Sequence, residues 1–172
     1  LPLNIAIGFA ACDVLRRFAP VCLKWPNDLM IGDRKIGGIL FETSINSSRV
    51  DKLIAGIGIN VNMTDLPLEI EGTASSLFLS TGMQFCIEKI LADFLNYFEP
   101  FFVSFISGEI DIVSEWKKYS ASLDKRITLH KNSVKTTFTE RGITSAGFLL
   151  AEDEKGLLGE IVSGDVGYDF SG

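Results

Sequence analysis

The sequence predicts an α+β fold: a mixed, mostly antiparallel sheet backed by helices, followed by a small β-barrel. Three observations carry this. Apolar residues recur at three and four over residues 3–18 and 84–99, the spacing of a helix face. Between Val21 and Asn62, β-rich runs are joined by short connections, which makes neighbouring strands antiparallel. Past a boundary near Ala121-Ser122 the period drops to two, and five short strands within about 50 residues suggest a barrel.

Composition narrows the classes. With 172 residues and 47% hydrophobic side chains, the chain can bury a real core, as one domain or one plus a small appendage. A net charge of −6 argues against nonspecific nucleic-acid binding, which needs accumulated Lys and Arg. Cys12, Cys22 and Cys86 are scattered and form no CxxC pair, so neither zinc nor a disulfide framework is suggested; this fits a reducing cytoplasm. The single His130 supplies no metal cluster, and no metal ligand is assigned. No apolar run reaches the roughly 18 residues of a membrane span, and no basic stretch suggests a signal peptide.

The elements follow in order. In the first helix, Ile7, Ala10, Ala11, Val14, Leu15 and Phe18 form the packing stripe. Arg16 and Arg17 fall in its last turn, where cations suit the helix dipole, and Pro20 stops it. Val21-Cys22-Leu23 is a short strand. Alternation puts Cys22 and Lys24 on one face, Val21 and Leu23 on the other. Pro26 breaks this strand, and Asn27 and Asp28 suit a turn. Strand resumes at Leu29-Met30-Ile31, turns at Gly32-Asp33, and continues from Lys35 to Thr43. After a turn at residues 45–48, Arg49 to Asn62 returns. Met63 to Ser80 reads as an irregular, solvated loop. The second helix carries Ile87, Ile90, Leu91, Phe94, Leu95 and Phe98 on one stripe, and Pro100 should end or kink it. A shorter helix over 109–119 follows, with Ile112, Val113, Trp116 and Tyr119 on one face. The terminal strands are Arg126 to His130, Val134 to Phe138 after a turn at Asn132-Ser133, Gly142 to Leu150, Gly156 to Ile161 and Val166 to Phe170.

The chemistry concentrates between Lys24 and Leu40. Two lysines, an amide and a carboxylate surround one corner of the sheet, and Gly37-Gly38 would let a ligand approach the backbone. On spacing alone these residues also fit a solvated strand turn. The stretch Gly56-x-Gly58-x-Asn60 is no dinucleotide fingerprint, because it lacks a third glycine and a helix opening after it.

The exact residues carry a resemblance. Lys24-Trp25-Pro26-Asn27-Asp28-Leu29, then Lys35 and Gly37-Gly38-Ile39-Leu40, resembles the signature of biotin protein ligases. Gly56-Ile57-Gly58-Ile59-Asn60-Val61-Asn62 is similar to that family's glycine–asparagine strand, and Thr73-Ala74-Ser75-Ser76-Leu77 to its Ala-Thr-Ser-Leu segment. A weaker likeness runs from Trp116 to the end. The resemblance implies a class II synthetase-like catalytic domain over residues 1–121, in part, and an SH3-like C-terminal domain over 122–172. It implies a cytoplasmic enzyme that uses ATP, Mg²⁺ and biotin to form biotinoyl-AMP. The biotin is then passed to a lysine of a biotin carboxyl carrier protein domain of a biotin-dependent carboxylase. A homodimer fits the resemblance; nucleic acid and membrane are not expected partners.

Site roles follow from the same likeness. Lys24 is the expected catalytic cation. Lys24, Asn27, Asp28, Leu29, Lys35, Gly38 and Ile39 would hold biotin and the adenylate. Lys35, Gly56, Gly58, Ile59 and Asn60 would hold the nucleotide, with the Asn60 amide matching an adenine edge. Two departures stand out. The family's Gly/Arg-rich nucleotide loop lies upstream of these motifs, and nothing before Lys24 resembles it, so the chain is expected to lack the family's first third. Ser163-Gly164-Asp165-Val166 looks like the family's closing segment, but Asp169 stands where many members carry a nucleotide-contacting arginine. Competing readings are a lipoate or octanoate ligase on the related scaffold, and a non-catalytic fragment or carrier-docking module. The Lys-Trp-Pro-Asn-Asp string favours biotin, and intact Lys24, Lys35 and Asn60 disfavour the non-catalytic reading.

Overall fold

The computed structural model describes residues 2–46, 49–131 and 134–168. The fold is α+β. Helix α1 (Pro2–Leu15) leads into a four-stranded antiparallel sheet, β1 (Val21–Lys24), β2 (Asp28–Ile31), β3 (Arg34–Asn46) and β4 (Arg49–Ile59), which lie side by side in chain order. Three helices follow: α2 (Leu77–Thr81), α3 (Ile87–Ile106) and α4 (Ile112–Tyr119). A second antiparallel sheet of β5 (Arg126–Lys131), β6 (Val134–Ile143), β7 (Leu149–Glu152), β8 (Leu158–Ile161) and β9 (Asp165–Tyr168) has the order β8-β7-β6-β5-β9. The expected turn over 45–48 starts later, because Ile45 and Asn46 continue β3; Ser47-Ser48, the expected turn at Asn132-Ser133, and Asp169 lie outside the described residues.

Helix α1 is buried almost all round, from Asn4 to Cys12 and again at Val14 and Leu15. It packs on the first sheet with one side and on α3 and α4 with the other. A hydrophobic helix with no polar face belongs inside a protein, and at Gly8 it comes so close that an added Cβ would press on Leu23 at 2.9 Å. The helix ends at Leu15, so Arg16 and Arg17 lie beyond its last turn rather than within it. Arg16 instead donates from Nε to the Val21 carbonyl (2.7 Å) and from Nη2 to the Lys118 carbonyl (3.0 Å), with its guanidinium 4.6 Å above the Tyr119 ring. It ties α1, β1 and α4 together.

Helix α3 runs through Pro100 instead of stopping there. Beyond the proline, Phe101 stacks on Tyr97 and Phe102 packs on Phe98, so aromatic contacts across the break hold the helix. Within the expected stripe, Ile90 and Phe94 are buried, while Ile87, Leu91 and Leu95 remain exposed. The loop after β4 is less irregular than its polarity suggests. It contains α2, capped by the Ser76 hydroxyl on the Leu79 N–H and closed by Gly82 in the left-handed region at φ 73°. No strand spans 142–150: β6 ends at Ile143 and a tight turn intervenes, closed by Thr144 N–H to Phe148 O and Gly147 N–H to Thr144 O, each 2.8 Å. Gly147 takes φ 79° there, a conformation that favours glycine.

The two sheets are joined at a seam formed by α4, the residues that follow it and the turn after β6. Leu23 bridges to Ser120, and the Ala121 N–H donates to the Leu23 carbonyl at 2.8 Å. Trp25, 1% exposed, donates its indole N–H to the Gly147 carbonyl at 2.9 Å. Trp116, also 1% exposed, donates to Glu140 Oε1 at 2.8 Å. Glu140 is fully buried, and Ser120 and Ser122 donate their hydroxyls to it as well.

Candidate functional site

Strand alternation and register assemble the site. Lys24 pairs with Asp28, Asp28 with Gly38 and Gly38 with Gly58, so one row of residues crosses all four strands of the first sheet. Residues in such a row share a face. The next row, Leu23, Leu29, Gly37 and Ile59, faces the other way; there Leu23 packs against Gly8 of α1. The first row therefore presents a lysine and a carboxylate beside a floor of two glycines. At Gly58 an added Cβ would meet nothing within 4 Å, so the floor is open there, whereas at Gly38 it would touch Lys35 and Asp28.

Lys35 joins this row through an irregularity. It lies three positions before Gly38, and a regular strand would put the two on opposite faces. The register shifts instead: Leu29 opposes Gly37 while Met30 opposes Lys35. Ile36 is the extra residue of this bulge, which re-aims its neighbour. Lys35 Nζ thus reaches Asp28 Oδ1 at 2.5 Å, and the lysine side chain is about half exposed. The Ile36 carbonyl accepts the Asn60 N–H at 2.7 Å.

A segment from the loop closes the other side. Lys35 N–H donates to Thr73 O (2.9 Å) and Ser75 N–H to Lys35 O (2.8 Å), laying residues 73–75 alongside β3. The Asn60 side chain donates to Ser75 O at 3.0 Å. The result is an open cleft of about 930 Å³ lined by Lys24, Asp28, Lys35, Gly38, Gly58 and Asn60, with Thr73 and Ala74 opposite. This volume suits a ligand of drug or cofactor size.

Not every predicted residue stands in the cleft. Leu29 and Ile39 are buried in the core at 0% and 2% exposure, so they support the floor from behind. Asn27 shapes the turn: its amide donates to the Ile39 carbonyl at 2.7 Å, and its own carbonyl accepts the Ile39 N–H at 3.0 Å. Gly56 opposes Leu40 further along the strand, and Ile59 faces α3 with Ile57 and Val61. Gly37 also borders the cleft, but what requires glycine there is the sheet, because a Cβ would run into the Gly58 carbonyl. Sequence reasoning missed Met30, Asp33, Ile70 and Gly72 on the rim. Met30 was legible from alternation with Asp28, but the others depend on the fold of the loop.

The sheet and helix arrangement that presents this row is shared with solved biotin protein ligases. Residues 5–60 match the Biotin/lipoate A/B protein ligase family. Among curated proteins the chain is 32% identical to the bifunctional ligase/repressor BirA of Bacillus subtilis over 84% of its length and 45% of that protein. It is 29% identical to biotin–protein ligase 2 of Arabidopsis thaliana, over 97% of this chain and 53% of that one. The chain thus spans about half the length of these relatives. The biotin protein ligase of Aquifex aeolicus in complex with biotin and ATP superposes with a TM-score of 0.82 at 29% identity, covering 98% of this chain and 71% of that one. The apo structure of the same enzyme gives 0.84 at 28% identity, covering 98% and 76%. Over the part of their length that it spans, the chain is a homologue of the biotin protein ligases.

Proposed function

We propose that the full-length protein is an ATP-dependent biotin–protein ligase, and that residues 1–121 belong to its catalytic domain while 122–172 form an SH3-like C-terminal domain. One observation carries the reading: Lys24, Asp28, Gly38 and Gly58 form a single row across the sheet, with Lys35 folded back onto Asp28. Attaching a carboxylic acid to an amine requires activation, because a carboxylate is a poor electrophile. In the first step the biotin carboxylate attacks the α-phosphate of ATP and pyrophosphate leaves. Two anions must meet, so fixed cations at the point of contact lower the barrier. Lys24 would bridge the acid's oxygen and the α-phosphate, and Lys35, held by Asp28, would clamp a second phosphate or carboxylate oxygen. Mg²⁺ would arrive on the triphosphate as part of that substrate. The glycine floor of Gly38 and Gly58 would accept the nucleotide, with the Asn60 amide beside the adenine edge. In the second step the amine of a carrier-protein lysine attacks the acyl carbonyl and AMP leaves. The acceptor would be a biotin carboxyl carrier domain. One relative, from Paracoccus denitrificans, is named biotin–[acetyl-CoA-carboxylase] ligase.

The test uses the full-length protein with Mg²⁺-ATP and a carrier domain. Biotin should drive pyrophosphate release and label the carrier. Release driven by lipoate or octanoate instead would overturn the choice of acid, and no acid-dependent release would overturn the enzyme reading.

A further inference from the structure

Lys24 stands between two hydrogen bonds that leave its own sheet. On one side the Leu23 carbonyl accepts the Ala121 N–H (2.8 Å). On the other, the Trp25 indole N–H donates to the Gly147 carbonyl (2.9 Å), with the ring 1% exposed. The receiving turn is itself rigid: the Gly147 N–H, the Phe148 N–H and the Thr144 N–H are all engaged within residues 144–148. A third anchor, the Asn4 amide to the Pro26 carbonyl (3.1 Å), holds the far side of the corner. The backbone of Lys24 therefore has little freedom of its own, and part of its placement is set by the second sheet.

We infer that Trp25 is a positioning residue, whose indole N–H on the Gly147 carbonyl fixes where Lys24 stands in the cleft. This rests on the ligase reading of the cleft for its kinetic consequence. A cation that must bridge two reacting anions is sensitive to small displacements. Losing the indole donor leaves the buried Gly147 carbonyl without that partner and loosens the link between β1 and the second sheet.

The experiment uses the full-length protein. Trp25→Phe keeps an aromatic ring and loses the donor. Its kcat for biotin-dependent pyrophosphate release should fall about tenfold, with KM for biotin and ATP within about twofold, since Lys24 is displaced and not removed. In a Lys24→Ala background the same change should cost nothing further, because it acts through a group already absent. Equal fractional losses in both backgrounds would overturn the inference. Benzothienylalanine at position 25 has the shape of tryptophan and no N–H. It should reproduce the kinetic loss, and wild-type kcat with this isostere would show that packing, not the hydrogen bond, is responsible. A readout free of catalysis is the ¹³C resonance of methylated Lys24, which should move in Trp25→Phe; an unmoved resonance overturns the positioning role. If the wild-type protein shows no acid-dependent pyrophosphate release, the ligase reading fails, and the Lys24 resonance still decides this one.

Discussion

Asp28 and Glu140 are both strand carboxylates, placed in opposite surroundings. Asp28 lies in the cleft, its side chain 18% exposed, paired at 2.5 Å with a lysine that is itself half open to solvent. Glu140 is sealed between α4, the segment after it and the second sheet at 0% exposure, and its donors are neutral: one indole and two hydroxyls. An exposed ion pair contributes little to stability because water and salt screen it. This one holds the Lys35 ammonium over the open cleft. A buried carboxylate with three donors is the reverse. It is costly to desolvate, and burial raises its pKa above the ordinary carboxylate range against the pull of its hydrogen bonds. What it secures is the geometry of the junction. Under the proposed ligase function the cleft's charges serve a ligand, whereas the buried carboxylate of the seam serves architecture.

Substitutions should separate the two regions. The largest effect is expected at Lys24. In the full-length protein, Lys24→Ala should lower biotin-dependent pyrophosphate release by about 10²-fold or more, with the thermal midpoint almost unchanged. Release near the wild-type rate would refute the role. At the seam the order reverses. Glu140→Ala leaves three buried donors unpaired and should destabilise the protein by about 3 kcal/mol in urea denaturation.

Two glycines in facing strands sharpen the contrast. Gly37→Ala forces a methyl group into the Gly58 carbonyl and should cost about 1–3 kcal/mol. Gly58→Ala adds a methyl to open space in the cleft; its stability should change by about 0.5 kcal/mol or less, while KM for ATP rises. Equal destabilisation by both would show that the floor is not open.

The smallest effect concerns pH. A carboxyl whose pKa is raised on folding holds protons that the unfolded chain releases. Stability from this group is thus fully present below the ordinary value of 4.5 and is lost as pH rises through the raised value. Glu140→Gln should flatten that part of the pH–stability curve, whereas Asp28→Asn, for which no such seal exists, should leave it in place.

The two regions also differ in how far the sequence reveals them. The hairpins from Val21 to Ile59 follow from period-two patterning and short turns, and the cations at Lys24 and Lys35 carry a recognisable signature. Their meeting was less legible, because it depends on the bulge at Ile36, and no local pattern separates a bulged strand from a regular one. Asn27, Leu29 and Ile39 lie close in sequence to the cleft residues, yet they serve the turn and the core, since alternation within a motif divides its residues between two faces. At the seam almost nothing could be read in advance. Glu140 follows a run of threonines in a strand whose register shifts before Gly142, and its three partners are 18 to 24 residues away. The five-residue α2 is too short for periodicity, although Ser76 and Gly82 bracket it as caps. Pro100 misled because a missing N–H is a local fact, while the aromatic packing that carries α3 past it is not.

The chain has two tryptophans, and both place their one polar atom across the seam, Trp25 on Gly147 and Trp116 on Glu140. Neither indole reaches water. The protein therefore carries its own optical probe of how the sheets are joined. Its native emission should lie toward the blue, and any opening of the seam should shift it to the red without a label. A ligand that fills the cleft and leaves the seam closed should change the same spectrum little, whereas a seam opened at Trp25 should show in emission and in turnover together.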